Sequence, residues 1–384
     1  MRATTRLWRH FDIWLLAAVV LLTIAGIAMI RSAIGGNENL AITVSRQSIF
    51  AVLGLAVVLI FAAIDYRFFA AIARPLYLAT SLFLAFIFVA GQVGFGSARW
   101  FQIATVNIQP SEVAKITAII VLSGFFAHRQ NQMGQLKTIL QSLALVALPA
   151  LLILLQPDLS TAIVLLVIWA SLVWAAGLQL RHIGILVLIA VIAVLMITPF
   201  LANYFMHDYA QGQDFYFLKW YQMERVANFL FPDPDESFGS TYNVDQALIS
   251  IGSGGWLGQG YGQGTQVQLR FLKVRHTDFI FSAMAEEFGF VGAMLLLILF
   301  MFVIYRCIRA ASIARDRFGA LICYGVAFSL LFQGAFNIGM NLNLFPVSGL
   351  PLPFFSYGGS SLVASLMGIG LVESVILRHK TIEL

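Results

Sequence analysis

A carboxylate stands where a long polar segment gives way to an apolar one, in Arg275-His276-Thr277-Asp278-Phe279-Ile280-Phe281, followed at once by Ser282-Ala283-Met284-Ala285-Glu286-Glu287-Phe288-Gly289. An acid at a membrane boundary is costly to desolvate and marks a functional position by default. If that boundary faces the cell exterior, Asp278 is the leading candidate for a catalytic group at the outer membrane surface. Helix capping accounts for the same residue equally well, because Thr277 or Asp278 is a chemically good N-cap for a helix beginning there. Glu286 lies two turns further on and would share a face with Asp278 on such a helix, which adds weight to the functional reading.

Other polar groups interrupt apolar sequence. In Gln109-Pro110-Ser111-Glu112-Val113-Ala114-Lys115, the proline followed by Ser and Glu is an ordinary helix start. Glu112 and Lys115 are one turn apart on one face, either as a local ion pair that lets Lys115 be buried or as a charged pair facing a polar cavity. Arg99-Trp100 suits an interfacial anchor, and the planar fork of Arg99 suits phosphate oxygens equally well. Aromatic and charged residues alternate at helical spacing in 216–226, as in a helix lying in the outer interface or packed within the loop. The run Gly252-Ser253-Gly254-Gly255-Trp256-Leu257-Gly258-Gln259-Gly260-Tyr261-Gly262-Gln263-Gly264 contains GxGGxxG. A dinucleotide site would need a preceding buried strand and a following helix, and neither is available here. Its glycines instead allow close backbone approach and positive φ, as in a re-entrant or ligand-lining loop.

The elements that must position these groups are membrane helices. Of 384 residues, 60% are hydrophobic and 11% charged, against roughly 25% charged in soluble domains. Apolar runs predict about ten spans, at 13–31, 47–64, 75–91, 111–128, 138–155, 159–177, 182–201, 280–305, 318–340 and 357–377. The expected fold is an all-α polytopic membrane protein, a single domain over 1–384, with one long loop at 202–279 between the seventh and eighth spans. The turn Gln156-Pro157-Asp158-Leu159 joins the fifth and sixth as antiparallel neighbours.

An even span number puts both termini on one side. With that side inside, the inner segments hold about fourteen Lys/Arg and the short outer segments about three, so both termini are expected to be cytoplasmic. The outer face then receives the 99–109 loop, the Pro157-Asp158 turn, the 202–279 loop and Phe345-Pro346-Val347-Ser348-Gly349-Leu350-Pro351-Leu352-Pro353. Function is expected at that face. The net charge of +5 forms no patch or stripe, which argues against nucleic acid. The run from Ile13 to Ile30 is longer than a signal-peptide core and ends at Arg31, as in a retained first helix. Cys307 and Cys323 have no metal-ligand spacing and are expected to be free thiols. No internal repeat is visible, which counts against an inverted-repeat transporter.

Ordered motifs across essentially the whole chain resemble the SEDS family (shape, elongation, division and sporulation), the RodA/FtsW peptidoglycan glycosyltransferases. Gly96-Ser97-Ala98-Arg99-Trp100 with the Gln109–Lys115 segment resembles the family's first outer-loop motif, and Gln156-Pro157-Asp158-Leu159-Ser160-Thr161 its second. Gln246 to Gly255, the glycines after it, and His276-Thr277-Asp278-Phe279-Ile280-Phe281 resemble the long loop. Asn337-Ile338-Gly339-Met340, Gly349-Leu350-Pro351-Leu352-Pro353-Phe354 and Ser356-Tyr357-Gly358-Gly359-Ser360-Ser361 resemble the last outer segment, in wording closer to RodA than to FtsW. One departure is local: the family usually has Pro-Glu shortly before His-Thr-Asp, where this chain has Leu272-Lys273-Val274-Arg275.

The resemblance implies polymerisation of lipid II into glycan strands at the outer face of the bacterial plasma membrane, by single displacement with inversion. It implies Asp278 as general base, with substrate-binding roles at Arg99, Trp100, Glu112, Lys115, Asp158, Arg275, Glu286 and Ser356. It also implies a class B penicillin-binding protein as transpeptidase partner, other elongation-machinery membrane proteins, and contact with membrane lipids. No metal site is evident, although Asp278, Glu286 and Asp158 could gather around a divalent cation, Mg or Mn, beside the diphosphate. The rival readings are a lipid II flippase, an FtsW-like division polymerase and a scaffold without chemistry.

Overall fold

The computed structural model describes residues 8–35, 41–90, 92–94, 97–103, 106–207, 209–216, 219–231, 240–272 and 274–379. Helices stand at all ten expected positions: α1 (Ile13–Ile34), α2 (Ala41–Ala63), α4 (Ala73–Ala90), α5 (Pro110–His128), α6 (Leu136–Leu155), α7 (Leu159–Ala175), α8 (Leu180–His207), α12 (Ile280–Ile313), α13 (Arg317–Asn341) and α14 (Gly359–Leu377). A short α3 (Tyr66–Ala71) joins α2 to α4, and the long loop folds into α9 (Trp220–Leu230), α10 (Ser240–Gly254) and α11 (Thr265–Gln268). Among the described residues, seven of these helices are long and apolar enough to cross a membrane, and two shorter apolar ones lie at Ala73–Ile87 and Leu159–Ala175. The chain is a membrane protein.

One segment departs from the all-helical expectation. Residues 92–108, expected as loop, contain β1 (Gln92–Gly94), β2 (Ser97–Ile103) and β3 (Val106–Ile108) in antiparallel order β1-β2-β3. The small sheet lies at the end of the bundle where α4 finishes and α5 begins.

The buried centre is built by α5, α13 and α14. Within a membrane, helices associate through close packing rather than through expulsion of water, so small residues mark their contacts. Accordingly α14 lies against α2 through Gly370, whose absent Cβ would stand 3.0 Å from the Val58 carbonyl oxygen, and through Gly359 against the Phe50 ring. Gly54 on α2 accepts the side chain of Leu366 in return.

Asp12 caps α1, receiving the Leu15 amide at 3.1 Å, and also takes Arg306 Nε at 2.7 Å. The Asp12 amide donates to Glu373 at 3.0 Å, so the chain start, α12 and α14 are tied together. Asp316 caps α13 and receives the Tyr66 hydroxyl at 2.7 Å and Arg67 at 3.0 Å.

The eighth expected span is longer than read from sequence and is broken. At Gly289 the backbone takes φ 65 and ψ −165, a region essentially reserved for glycine, and splits α12 into a short outer piece and a long inner one. The glycine-rich loop fits into the break: Phe290 and Val291 amides donate to the Gly255 and Trp256 carbonyls at 2.8 and 3.1 Å. The Gln259 and Gly260 amides donate to the carbonyls of Glu286 and Glu287, both at 2.9 Å. A Cβ at Gly254 or Gly258 would collide with the backbone at 285–288, so these glycines provide the close approach expected of them.

Candidate active site

Asp278 does not cap its helix. α12 begins at Ile280 with Phe279 as N-cap and no side-chain cap hydrogen bond, so the capping explanation fails and the carboxylate is left for other work. The backbone at Asp278 is instead gripped. Its carbonyl accepts from Asn337 Nδ2 at 3.1 Å and from Asn341 Nδ2 at 3.0 Å. Asn341 Oδ1 in turn receives the amide and hydroxyl of Ser282 at 3.1 and 2.6 Å, and Asn337 also donates to the Leu350 carbonyl at 2.8 Å. Both asparagines are fully buried, and their Nδ2 groups, each donating to the Asp278 carbonyl and to a second carbonyl, hold that turn in one arrangement.

The segment after α13 closes over the same turn. Ser356 Oγ donates to the Thr277 carbonyl at 2.7 Å and accepts the Leu352 amide at 2.9 Å, while the Tyr357 amide donates to the His276 carbonyl at 3.0 Å. Ser356, expected to bind substrate, here holds the turn that carries Asp278. Val274 in that turn has φ 52, a genuine outlier for a β-branched residue and a local strain of the kind functional sites retain.

The Asp278 carboxyl is half-buried, and desolvation pushes its pKa up from the ordinary carboxylate value. The Arg225 guanidinium and a hydrogen bond with Thr277 act in the opposite direction. The absent Cβ of Gly349 would stand 3.8 Å from Asp278 Oδ2 and 3.9 Å from Arg225 Nη1, so glycine leaves the space between acid and cation open. Arg225, on α9, was missed by sequence reasoning because it sits among alternating charges and aromatics. Its guanidinium lies 5.8 Å from the Tyr221 ring and donates to the Val347 carbonyl at 3.4 Å.

Arg225 also lines a cavity of about 80 Å³ with Pro157, Asp158, Ser160, Tyr221 and Ser348. The Tyr221 hydroxyl donates to the Pro157 carbonyl at 2.9 Å and Ser160 Oγ to the Ser348 carbonyl at 2.6 Å, which joins the loop, the 156–158 turn and the last outer segment. Asp158 caps α7, accepting the Thr161 amide and hydroxyl at 3.2 and 3.0 Å, and receives Gln109 Nε2 at 2.9 Å.

Glu112 and Lys115 form an ion pair of 2.8 Å, both side chains almost wholly buried, and Lys115 Nζ donates to Gln333 Oε1 at 2.7 Å. Gln333, Asn337 and Asn341 recur at every fourth residue, one face of α13. A polar stripe thus runs from the Glu112–Lys115 pair to the Asp278 carbonyl. The sequence carried that signal in its spacing, and it was not read.

Two expected residues lie elsewhere in role. Arg275 is buried, donating through Nε to the Ala33 carbonyl and through Nη1 to Leu272 at 3.3 Å, so it anchors the loop to the end of α1. Burial lowers its pKa, with the nearby charge of Arg270 a lesser cause, and burial followed by Arg275 lowers that of His276. Glu286 accepts the Gln266 and Val267 amides at 2.8 and 3.3 Å and the Thr265 hydroxyl at 3.2 Å, capping α11. Its neighbour Glu287 receives the Ser32 hydroxyl. The carboxylates of Asp158, Glu286 and Asp278 therefore do not gather as a cation site would require, and among the described residues no group of three or more His, Cys, Asp or Glu does. The side chains of Arg99 and Trp100, on β2, lie outside the described residues.

A membrane bundle with a locked aspartate at one end, a nearby arginine and a loop wedged into a broken helix defines a class that comparison makes specific. The family model described as "Cell cycle protein" (FtsW, RodA, SpoVE) matches residues 7–381, and the chain belongs to that family. It is 35% identical over 374 residues to peptidoglycan glycosyltransferase MrdB of Escherichia coli, covering 97% of this chain and 95% of that one. It is 33% identical to the probable peptidoglycan glycosyltransferase FtsW of Hydrogenovibrio crunogenus, covering 96% and 92%. Among solved structures it superposes on a chain of a peptidoglycan synthase complex described as coordinating polymerization and crosslinking, with TM-score 0.77, 32% identity and coverage of 96% and 98%. The rod shape determining protein RodA of Thermus thermophilus matches with TM-score 0.69 and 30% identity, covering 95% and 96%.

Proposed function

We propose that this protein is a RodA-like peptidoglycan glycosyltransferase, polymerising lipid II into glycan strands at the outer face of the bacterial plasma membrane in support of cell elongation. The ten helices then span the membrane as one domain with both termini cytoplasmic, and the 202–279 loop is extracytoplasmic. The observation that carries the reading is Asp278: its backbone is clamped by Asn337 and Asn341 while its carboxylate is spared from capping and faces Arg225.

In the reaction, the C4 hydroxyl oxygen of one sugar bonds to the anomeric carbon of another, and the bond from that carbon to the diphosphate oxygen breaks. The hydroxyl proton passes to Asp278, and undecaprenyl diphosphate leaves with the electron pair. The diphosphate leaves without needing a proton, so one carboxylate suffices, unlike the paired acids of glycoside hydrolysis. Positive charge must meet the leaving group, and Arg225 is the cation beside Asp278, with Arg99 a further candidate. Single displacement inverts the anomeric centre.

The match to a chain of a synthase complex supports a class B penicillin-binding protein as partner, with other elongation-machinery proteins alongside. Purified protein in detergent, where no translocation is possible, is expected to make glycan from lipid II, and its Asp278→Ala variant to make none. Polymer from the Asp278→Ala variant would end the catalytic assignment, and none from the parent protein would return the flippase or scaffold reading.

A further inference from the structure

The other end of the bundle holds a second, larger site. A cavity of about 1120 Å³ opens between α3, α4, α5, α6 and the start of α13, just above the range of about 300–1,000 Å³ usual for small-molecule pockets. It is remote from Asp278. α13 starts at this cavity with Phe318 and ends at Asn341 beside Asp278, and α5 starts at Pro110 and reaches the cavity only in its last turns, from Val121 to His128, with Arg129 just beyond its end.

Its interior is apolar, with Leu78, Phe125 and Leu145 in its walls, and Leu78 is 59% exposed. Its rim is basic: Arg67, Arg74, His128 and Arg129 line it, with Asp316 the single acid. Asp316 is already matched, by Arg67 at 3.0 Å and by the Tyr66 hydroxyl. Among the described residues no carboxylate pairs with Arg74 or Arg129, and four basic side chains stand at the rim against one acid. Arg129 is pre-oriented, its guanidinium 4.4 Å from the Phe125 ring and donating to Gln141. An apolar trough bordered at the helix ends by arginines is complementary to one kind of molecule. Its acyl chains need the walls, and its phosphate needs the fork of a guanidinium.

We propose that this cavity is a binding site for an anionic phospholipid of the leaflet opposite the one that borders Asp278. The headgroup phosphate meets Arg74 and Arg129, and an acyl chain lies along Leu78, Phe125 and Leu145. The site is separate from the polymerase centre and stands or falls independently of it.

The test is native mass spectrometry of the full-length protein released from detergent, titrated with palmitoyl-oleoyl phosphatidylglycerol or with phosphatidylcholine of the same chains. One phosphatidylglycerol is expected to be retained at least tenfold more tightly than phosphatidylcholine. Arg74→Gln with Arg129→Gln should erase most of that preference, about fivefold for each charge removed. Equal retention of the two lipids by the parent protein overturns the proposal without recourse to any variant. So does an undiminished preference in a double variant with unchanged helix content. Displacement of phosphatidylglycerol by undecaprenyl diphosphate at lower concentration would assign the site to the lipid carrier and likewise overturn it.

Discussion

Replacing Arg225 by glutamine removes the positive charge that faces Asp278 while keeping a side chain of similar length. The separation of the two groups follows from Gly349, whose absent Cβ would touch both, at 3.8 and 3.9 Å, so the charges are about 8 Å apart at most. At that distance the attraction is about 2 kcal/mol for an effective dielectric constant near 20 and about 0.5 kcal/mol in bulk water. Both side chains are half-buried, which places the true figure between these limits. The sign follows from the causes acting on Asp278. Burial favours the protonated acid, and Arg225 favours the carboxylate. Without Arg225 the pKa of Asp278 rises further, and a general base is active only when deprotonated. The acid limb of the pH–rate profile is therefore expected to move to higher pH. Activity on that limb should fall by roughly 2- to 30-fold, the exponential of the energies above. Arg225→Lys is expected to keep most of the effect, because it keeps the charge. The assay is glycan polymerisation from lipid II by purified protein across a pH series, read on a gel. A profile for Arg225→Gln that superimposes in shape on the parent would refute the reasoning, whatever its height.

Asp278→Asn is expected to lose about 10²- to 10⁴-fold in polymerisation, the usual contribution of a positioned base, with membrane insertion and elution in detergent unchanged. Lys115→Met strands the buried carboxylate of Glu112 and is expected to lower stability by about 3–5 kcal/mol, seen as a lower melting temperature in detergent. Exchanging the pair, Glu112→Lys with Lys115→Glu, should recover much of that stability if the pair is structural, and failure to recover it argues for a directional role. Gly289→Ala forces an L side chain into a glycine-only region at about 1–3 kcal/mol and against the backbone of Trp256 and Gly258. Protease cutting within 255–264 is expected to rise, and an unchanged digestion pattern would show that the break tolerates a side chain.

The helices were readable because a spanning helix needs only an apolar run, which composition carries directly. The Pro157-Asp158 turn and the close-packed Gly254 and Gly258 were readable for the same reason, since each residue type has one dominant physical use there. The small sheet at 92–108 was missed although Trp100, Phe101, Ile103, Val106 and Ile108 are strand-forming types; short strands beside long apolar runs leave little contrast. The site itself was half readable. Asp278 stood out as an isolated acid at an apolar boundary. Its keepers did not, because Gln333, Asn337 and Asn341 reveal their common face only when polar residues inside a hydrophobic helix are placed on the helical period. Arg225 and Glu286 depend on how the loop folds back, which no local pattern states. Glu286 looked like a partner of Asp278 by helical arithmetic, yet its oxygens are taken by the backbone of 265–267.

The interruption of α12 at Gly289 divides a continuous stretch of chain between two mechanical bodies. Residues 280–288 are bonded to the glycine-rich loop, to α11 and, through Asn341, to the end of α13, whereas beyond Phe290 and Val291, which also donate to the glycine-rich loop, α12 continues as a long apolar helix. Asp278 is thus mounted on the folded loop and the short piece of α12 before the break rather than on the long apolar helix that follows it. Changes of tilt or sequence in the apolar helix beyond the break therefore reach the carboxylate through one glycine and the loop that bridges it.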